Sequence, residues 1–482
     1  MSRFYLYPVF MMGLAGGMYA ADPLPLIMTI DTATVLHRTG DQYHGTNLTA
    51  LWNDTGVTEA STKAFATLDL RLVRFPGGVP CQWYDWKTPL DSGWSTTTPE
   101  LAWSLAQASG ASMVFQTNTA TKSDGNDEKT GKHYSFDNSA EHQADWVSAA
   151  AQAGMKVAWW EIGNEPEMDA PKEHKGNLDH VYAWYNKVYT DQVTAIRARD
   201  GKAKILGPAS TNTWFWWNQQ CLGKFLKAHG NRSGDGLVDG VSLHWYPETD
   251  KGDWIKHSGA AQEWAEAMVF IRKTIDENDT RPLPVFISEW SWGGGMNHKG
   301  NSGMANALGT ADIIGMFERT GVAGHTHFCF QRIDGNWGVV ALAKDERPAN
   351  EPSPAYFALA LASRLRGDVL PVNHTANERN DVSAYAARDK QMLRIMLINK
   401  QATPRPVQLA LTKAMAVSEV TVNELKPVDG SIGATEVILN GVTSPRPLQG
   451  SWPAPTKGTW KNGWSGVVPG YGLMLVEILL KP

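Results

Sequence analysis

Residues Val157–Pro166, which read Val-Ala-Trp-Trp-Glu-Ile-Gly-Asn-Glu-Pro, combine an apolar run with an abrupt polar end. The apolar and aromatic half is typical of a strand that is covered on both faces. The run then ends in the amide of Asn164 and the carboxylate of Glu165, followed by Pro166. A carboxylate at the end of a buried strand costs free energy unless it is paired or has a chemical task. We therefore expect a functional carboxylate at Glu165.

A second carboxylate closes another apolar run, Pro284–Trp290, which reads Pro-Val-Phe-Ile-Ser-Glu-Trp. Val285, Ile287 and Glu289 are two residues apart, so they share one face of a strand. In a parallel α/β barrel the carboxyl ends of the strands form the active-site face. This pattern predicts that Glu165 and Glu289 lie at the same end of one barrel.

Eight strand-like runs occur between residues 39 and 366, and each is followed by a helical pattern such as Leu178–Arg199, Gln262–Asn278 or Ala355–Leu365. Eight such units predict a (β/α)8 TIM barrel, fold class α/β. The predicted strands are Tyr43–Leu48, Leu70–Phe75, Ser112–Thr117, Lys156–Ile162, Lys204–Leu206, Gly240–Trp245, Pro284–Ser288 and Gly324–Phe330.

The pattern changes after Arg366, where short apolar runs alternate with Pro, Gly and Asn and no long helical period follows. Residues 367–482 therefore indicate an accessory all-β sandwich domain. Leu24–Val35 is also strand-like, and we expect residues 22–38 to join this sandwich. The clearest strand patterns are Val382–Ala386, Met392–Ile398, Val417–Val422 and Leu473–Ile478.

The composition is that of an ordinary globular protein, with 482 residues of which 42% are hydrophobic. The formal net charge of -5 argues against nucleic acid or an anionic membrane as the main partner. The 21 tryptophans are unusual. They have two interpretations, core filling and stacking on sugar rings, because indole combines a large contact area with a polar handle.

The first residues, Met1–Ala21, have the pattern of a secretory signal peptide, with Arg3 before the apolar run Val9–Ala15. An uncleaved anchor is the alternative, but the run is shorter than the roughly 20 residues that a membrane span needs. We expect cleavage after Ala20 or Ala21 and a secreted or periplasmic protein that does not bind membranes.

Three cysteines, Cys81, Cys221 and Cys329, are too few for a disulfide framework, and one bridge at most is possible. No Cys/His spacing resembles a zinc site. His325 and His327 share a strand face, but no carboxylate has matching spacing, so core packing or substrate contact is the preferred interpretation. The sequence predicts neither a metal nor a cofactor.

The pair of motifs, Asn164-Glu165-Pro166 and Ser288-Glu289-Trp290, resembles the retaining glycoside hydrolases of clan A. Arg74–Gly78, followed by Tyr84–Trp86, is most similar to the branch that holds family 51 arabinofuranosidases and family 44 endoglucanases. The resemblance extends over the organisation of the whole chain, but at residue level it rests on these motifs.

The resemblance implies a double displacement, with Glu165 as acid/base and Glu289 as nucleophile. Retention requires the two carboxyls to be roughly 5–5.5 Å apart. Glu289 then has to stay ionised. We expect apolar neighbours and the charge of Glu289 to keep Glu165 protonated at rest.

Further site residues are expected around this pair. The resemblance makes Asn164 a donor to the sugar hydroxyl beside the anomeric centre, and Asn118 matches a family 51 loop position. Arg74 ends the second strand and could bind Glu289 through charge-assisted hydrogen bonds. His244 and Tyr246 end the sixth strand and could contact the pair or the sugar. A turn amide, a loop salt bridge and a barrel-core pair are the respective alternatives.

Three tryptophans, Trp290, Trp292 and Trp337, follow the seventh and eighth strands and are candidate sugar platforms, with plain packing as the alternative. Family 51 usually has Asn-Glu-Met where this chain has Pro166, and its Gly-Gly loop continues into Asn rather than Val79–Gln82. These departures and the tryptophan-rich loops favour a β-linked glucan or xylan over an arabinofuranoside. A transglycosylase or a non-catalytic carbohydrate-binding protein would also fit the barrel and its carbohydrate cleft.

Overall fold

Strands and helices alternate through the first three quarters of the chain, and strands alone follow. The computed structural model describes residues 24–49, 57–89, 97–119, 124–126, 133–135, 137–211, 215–247, 254, 258–292, 303–331, 338–341, 348–443, 445 and 452–482. The expected signal peptide and Trp337 lie outside the described residues.

The strands are numbered in chain order. They are β1 Leu26–Ile30, β2 His37–Arg38, β3 His44–Asn47, β4 Leu72–Phe75, β5 Ser112–Thr117, β6 Asp124–Asn126, β7 His133–Ser135, β8 Val157–Ile162, β9 Ile205–Ser210, β10 Gly240–Trp245, β11 Val285–Trp290, β12 Gly324–His327, β13 Asp368–Leu370, β14 Val372–Asn373, β15 Val382–Asp389, β16 Met392–Asn399, β17 Arg405–Leu411, β18 Val417–Pro427, β19 Val437–Leu439, β20 Val442–Thr443, β21 Thr456–Gly458, β22 Trp464–Val468 and β23 Leu473–Leu480.

The helices are numbered in the same way, and a short 3-10 helix, Val79–Trp83, follows β4. They are α1 Glu59–Leu68, α2 Pro99–Ala108, α3 Ala140–Gln152, α4 Pro166–Asp169, α5 Leu178–Arg199, α6 Phe215–His229, α7 Ala260–Asn278, α8 Met304–Thr320 and α9 Pro354–Ala362. No helix in the described ranges has both the length and the apolarity needed to cross a bilayer.

Eight parallel strands close into a barrel in the order β3-β4-β5-β8-β9-β10-β11-β12, with β12 pairing back to β3. The predicted TIM barrel is therefore confirmed. The helices pack outside it because each presents an apolar face. On α7, for example, Trp264, Met268, Ile271 and Ile275 are all buried.

Two barrel strands differ from their predicted bounds by three residues or more at one end. The fifth was predicted to end at Leu206 but runs to Ser210, although Gly207 and Pro208 usually interrupt strands. A side chain at Gly207 would collide with Tyr189 and Phe225, so the strand needs glycine there to lie against its helices. The eighth strand ends at His327, three residues before the predicted end, although the backbone N–H of Phe328 still donates to Trp290.

The interior of the barrel is apolar at one end and polar at the other. Leu72, Val114, Trp159, Leu206 and Phe286 form a small apolar cluster that fills the end where the strands begin. Polar side chains, which include a buried arginine, occupy the interior towards the carboxyl ends of the strands. This arrangement places the charged groups at the face where TIM barrels carry their active sites.

Strands β6 and β7 form a separate two-stranded sheet, and the other strands outside the barrel form a β-sandwich, as predicted. A four-stranded sheet, β14-β1-β17-β22, contains the N-terminal strand. A larger sheet has the order β2-β13-β15-β16-β23-β18-β19-β20, with β21 paired to β18. Their shared core contains side chains of both sheets, such as Met28 and Ile30 from the first and Leu393 and Ile395 from the second.

Helix α8 joins the barrel to the larger sheet. A Cβ on Gly315 would lie 2.3 Å from the ring of Tyr385, so glycine permits this close approach. The Tyr385 hydroxyl donates to Asp312 at 2.8 Å, and Lys400 lies 2.6 Å from the same carboxylate. Lys400 and Asp312 are almost fully buried, so the two units share a continuous, charge-balanced interface.

Candidate active site

Arg74 is the centre of the polar cluster inside the barrel. It lies on β4, is fully buried and points across the interior to side chains from several other strands. Burial by itself would lower the pKa of the guanidinium, but the charges of Glu161 and Glu289 raise it above its usual value. Its hydrogen-bond partners are Glu161 at 2.6 Å, Asn47 at 2.8 Å, Asn164 at 3.0 Å, Glu289 at 3.1 Å and His244 at 3.2 Å.

Glu289 is held by two donors, one on each carboxylate oxygen. Arg74 Nη1 donates to Oε2, and the Tyr246 hydroxyl donates to Oε1. Burial and the negative charge of Glu289 raise the pKa of Tyr246 well above its usual value, so Tyr246 stays a phenol that donates. The β10–β11 pairing shifts its register after Leu243, which brings His244 opposite Glu289. The carboxylate is therefore fixed in orientation at the strand end.

Glu165 lies just beyond β8, where it precedes the short helix α4. Its φ of 42° is in the left-handed region, which is uncommon for a residue with a side chain. The backbone N–H donates to Ala209 on the neighbouring strand, and Pro166 begins α4. This backbone directs the Glu165 side chain towards His244, whose Nδ1 lies 2.8 Å from Oε1.

The partners of His244 fix its tautomer. Arg74 has donors only, so the Nε2 atom of His244, 3.2 Å from Nη2, has to accept. The hydrogen of a neutral ring is then on Nδ1, which donates to Glu165. Glu165 Oε1 is occupied by this hydrogen bond, so a proton taken up by Glu165 belongs on Oε2.

The expectation that Glu165 is held protonated at rest is wrong for the free site. Burial does raise the pKa of Glu165, but the hydrogen bond from His244, the bond from Thr211 and the charge of Arg74 outweigh it. The net pKa lies below the usual value for glutamate. The apolar neighbours visible in the sequence are thus less important than polar partners from other strands.

The carboxylates of Glu165 and Glu289 lie close together. One oxygen of each and one nitrogen of His244 all lie within 4.8 Å of one another. A divalent cation could contact these three atoms, but Arg74 already brings a positive charge 3.1 Å from Glu289. Each carboxylate also has a hydrogen-bond donor in place, so the arrangement fits a pair of reacting carboxyls better than a metal site.

This architecture is shared with several solved structures. No protein-family model matches the sequence, and no curated protein matches it either. The α-L-arabinofuranosidase of Thermotoga maritima has a TM-score of 0.71 at 13% identity, over 95% of this chain and 100% of the other. A bifunctional glucanase-xylanase from a metagenome library has a TM-score of 0.66 at 15% identity, over 95% of this chain and 99% of the other.

A family 44 endoglucanase from Clostridium acetobutylium has a TM-score of 0.65 at 13% identity, over 95% of this chain and 100% of the other. The chain has the fold of family 51 and family 44 glycoside hydrolases. At these identities the likeness concerns the fold, including the sandwich, which agrees with the resemblance seen in the sequence motifs. What the carboxylates do is therefore argued from their own geometry.

Asn164 is buried between Arg74 and Gln116, which both donate to its Oδ1 atom. Its Nδ2 group is buried and has no hydrogen-bond partner within the described ranges. An unpaired buried donor costs free energy, which a ligand can recover by accepting from it. Asn164 is therefore oriented as a donor beside the two carboxylates.

Asn118 follows the third barrel strand, as expected, and its contact with a sugar stays a prediction. It is buried at the end of β5, and its Nδ2 donates to the carbonyl of Gln82 in the 3-10 helix. Its backbone N–H donates to Gln143, and its carbonyl accepts from Gln192. These bonds connect the loop after β4 to the barrel, so Asn118 supports the wall of the site.

Two of the expected sugar platforms are core residues, and that expectation is corrected. Trp290 is fully buried, and its Nε1 donates to His325 outside the barrel wall. Trp292 is 1% exposed and packs against Trp254 and Gly309. Both lack an open indole face, because the strand turns them towards helix α8 rather than towards Glu289.

His325 and His327 also point out of the barrel. His325 accepts from Trp290 and lies 3.0 Å from a nitrogen of His44, and its ring packs against Phe317 of α8. Burial lowers the pKa of His327 to about 3, so that ring is neutral. Of the two preferred interpretations, core packing rather than substrate contact agrees with these contacts.

The sequence interpretation missed three polar residues of the site, namely Asn47, Gln116 and Glu161. Gln116 Oε1 accepts from the backbone N–H groups of Gly77 and Gly78 and so holds that loop beside Glu289. Each of the three is a polar residue within a strand buried on both faces. A polar residue in such a strand is the one sequence feature that could have indicated a site residue. Only the closed barrel shows that they share Arg74 or Asn164 as partner.

Phe328 is an aromatic residue beside the carboxylates that was also missed. A Cβ added at Gly78 would lie 3.1 Å from the Phe328 ring and 3.2 Å from Glu289 Oε2. Gly78, Phe328 and Glu289 therefore meet at one point. Phe328 directly follows β12, but the predicted eighth strand, Gly324–Phe330, included it, so it was not recognised as a residue beyond the strand end.

Proposed function

We propose that this protein is a retaining glycoside hydrolase. The observation that carries the proposal is the pairing of Glu165 and Glu289 at the carboxyl end of the barrel, with His244 within 4.8 Å of both. Retaining enzymes need carboxyls roughly 5–5.5 Å apart, whereas inverting enzymes need roughly 6.5–9.5 Å to admit a water molecule. The short separation supports retention.

In the first step, Glu289 attacks the anomeric carbon while Glu165 protonates the leaving oxygen. Arg74 and Tyr246 hold the Glu289 carboxylate in a fixed orientation for attack. The bond from His244 to Oε1 leaves Oε2 of Glu165 as the atom that transfers the proton. The products are a glycosyl ester on Glu289 and a free alcohol.

In the second step, Glu165 accepts a proton from water, and that water attacks the anomeric carbon and breaks the ester to Glu289. The two inversions give net retention. The Nδ2 group of Asn164 has no partner among the described residues, and we assign it to a sugar hydroxyl. Their hydrogen bond strengthens as charge develops in the transition state.

We propose a β-linked glucan or xylan as substrate. Support comes from the departures from the family 51 pattern at Pro166 and at Val79–Gln82, and from the fold shared with a protein described as a bifunctional glucanase-xylanase. The second candidate is an α-L-arabinofuranoside, which is favoured by the fold shared with the Thermotoga maritima enzyme.

The test is a screen on β-glucan, xylan and aryl glycosides, aryl α-L-arabinofuranosides included. Wild type should release reducing sugar from β-linked polymers. Glu289→Gln should reduce turnover by about 10⁴-fold or more, because the nucleophile is lost while the side-chain volume stays. Glu167→Gln is the matched control. This carboxylate is close in sequence but is bound by Tyr182, Ser210 and Thr211 rather than by the catalytic pair.

Three results would lead to a different function. Hydrolysis of aryl α-L-arabinofuranosides, without hydrolysis of β-linked polymers, would favour the second candidate. Products that lengthen when an acceptor sugar is added would indicate a transglycosylase. Binding to glycans without any bond cleavage would indicate a carbohydrate-binding protein. Equal activity of wild type and Glu289→Gln would remove Glu289 from the mechanism.

We also propose that the protein is exported after loss of residues 1–21, on the pattern of Met1–Ala21. The N-terminal sequence of protein recovered outside the cytoplasm tests this. A start near Ala21 or Asp22 is expected, and an intact Met1 in the exported protein would contradict it.

A further inference from the structure

Glu161 is a third carboxylate in the site, and the two-step mechanism does not use it. It lies on β8 four residues before Glu165, with no exposed side-chain surface. Its Oε2 atom accepts from Nε of Arg74 at 2.6 Å, which is shorter than the 3.1 Å between Arg74 and Glu289. The guanidinium therefore has its shortest carboxylate contact with a residue that does not react.

All five N–H donors of Arg74 have a partner. The Nε group binds Glu161, Nη1 binds Asn47 and Glu289, and Nη2 binds Asn164 and His244. The guanidinium of arginine is planar, and its five N–H donors have fixed directions relative to one another. Glu161 therefore fixes the rotation of the fork and thus the direction from which Nη1 reaches Glu289.

The charge balance gives Glu161 a second effect. Arg74 contributes one positive charge, and Glu161 and Glu289 contribute two negative charges at contact distance. Ionisation of Glu165 adds a third negative charge to this cluster. Without Glu161, the same ionisation would leave the cluster less negative, and Glu165 would lose its proton at lower pH.

The other groups that face this cluster are uncharged. His244 is a neutral ring by its contacts. Burial is the main cause that raises the pKa of both Tyr246 and Tyr185 well above the usual value. Negative charges raise these pKa values further, and the charge of Glu161 contributes in the case of Tyr185. Cys81 is a buried cysteine that interacts electrostatically with Arg74. None of these groups can offset Arg74 in place of Glu161.

We propose that Glu161 is a positioning residue that acts through Arg74, and that its charge sets the pH range over which Glu165 keeps its proton. The proposal rests on the glycosidase function proposed above. A merely structural role, in which Glu161 only compensates a buried arginine, predicts lower stability but no change in pH dependence.

Glu161→Gln separates the two roles. The amide keeps the volume and an oxygen that can accept from Arg74 Nε, but removes the charge. We expect the basic limb of the kcat/KM profile to move to lower pH by about one unit, with activity on the acidic side retained within about tenfold. A profile that falls uniformly with an unmoved limb would overturn the proposal.

Glu161→Asp is the second variant, and it keeps the proposal testable if the glutamine variant does not fold. It keeps the charge but withdraws the carboxylate from Arg74 Nε. We expect a lower kcat and a basic limb at its wild-type position. A limb displaced to lower pH would contradict a role for the charge.

Glu318→Gln is the matched control for the loss of a buried carboxyl. Burial raises the pKa of Glu318 well above its usual value, so glutamine replaces a neutral acid there and removes no charge. Its pH profile should coincide with that of wild type. A shifted limb in this control would mean that any buried Glu→Gln change moves the profile, and would overturn the inference from Glu161→Gln.

A carboxyl NMR titration separates failure of this inference from failure of the proposed function. With ¹³C-labelled glutamate, the Glu165 resonance is assigned by its loss in Glu165→Gln. Its midpoint should be lower in Glu161→Gln than in wild type, whether or not a substrate is known. Equal midpoints would overturn the inference. Absence of hydrolysis by wild type would overturn the proposed function but not the titration result.

Discussion

The Nδ1 atom of His244 lies 2.8 Å from Oε1 of Glu165, so a ring from the sixth barrel strand holds the carboxyl that follows the fourth. This contact gives Glu165 a donor where burial alone would favour the protonated acid. It also reserves one oxygen, Oε1, for His244. The consequences can be measured as pH dependence, stereochemistry and stability.

The pH dependence should respond to His244. As general acid, Glu165 works when protonated, so the basic limb of kcat/KM follows its pKa. His244 lowers that pKa and burial raises it. His244→Phe removes the donor and leaves the effect of burial, so the limb should move to higher pH by about one unit.

His244→Gln is the control, because its amide can still donate to Glu165, and the limb should move less. The measurement is kcat/KM against pH with a natural substrate. A limb that moves to lower pH in His244→Phe would contradict the role assigned to the His244 hydrogen bond.

The stereochemistry should be retaining. Glu165→Ala should still form the ester on Glu289 from a substrate with a good leaving group, because no proton is needed there. The second step should then stall, and added azide should produce a glycosyl azide of retained configuration. NMR of the first product of wild type, before mutarotation, gives the anomeric configuration. An inverted first product would refute the double displacement.

Arg74 should be essential for stability as well as for activity. Arg74→Met leaves Glu161 and Glu289 buried without their cation, which costs about 3–5 kcal/mol in the free energy of unfolding. Denaturant unfolding measures the loss. The matched control is Lys187→Met, in an exposed pair with Asp191, where about 0.5 kcal/mol or less is expected. Similar losses for both variants would contradict the burial argument.

Gly78 should be required for turnover. Alanine there has to adopt a φ of 81° and places its Cβ 3.2 Å from Glu289 Oε2. We expect Gly78→Ala to lower kcat by about 100-fold, because a small displacement of a reacting group is costly. Gly154→Ala is the control. It has a φ of 69° but no atom within 4 Å of the new Cβ.

Gly154→Ala should lose on the order of 1 kcal/mol of stability because of its positive φ. Gly78→Ala should lose more, because the φ of 81° and ψ of −151° at Gly78 lie in a region that is almost restricted to glycine. Only Gly78→Ala should lose activity. If Gly154→Ala loses as much kcat, the effect at Gly78 is one of backbone strain and not of contact with Glu289.

The sequence by itself determined the fold class and identified the two carboxylates of the candidate site. The apolar runs that end in Glu165 and Glu289, repeated within eight β-then-α units, carry this information because strand burial and strand ends are local properties of the chain. Arg74, His244, Tyr246 and Asn164 could be named for the same reason, as polar residues at strand ends.

Only the tertiary structure decided how these residues act on each other. Whether Trp290 faces a sugar or the core depends on the direction of one side chain, and the shift of register before Glu289 is not visible in the alternation of residues. The pKa of Glu165 depends on His244, 79 residues away along the chain. Glu161 lies next to Arg74 only because the barrel closes. Distances of a few ångströms between remote strands set electrostatic energies, and a linear sequence does not contain them.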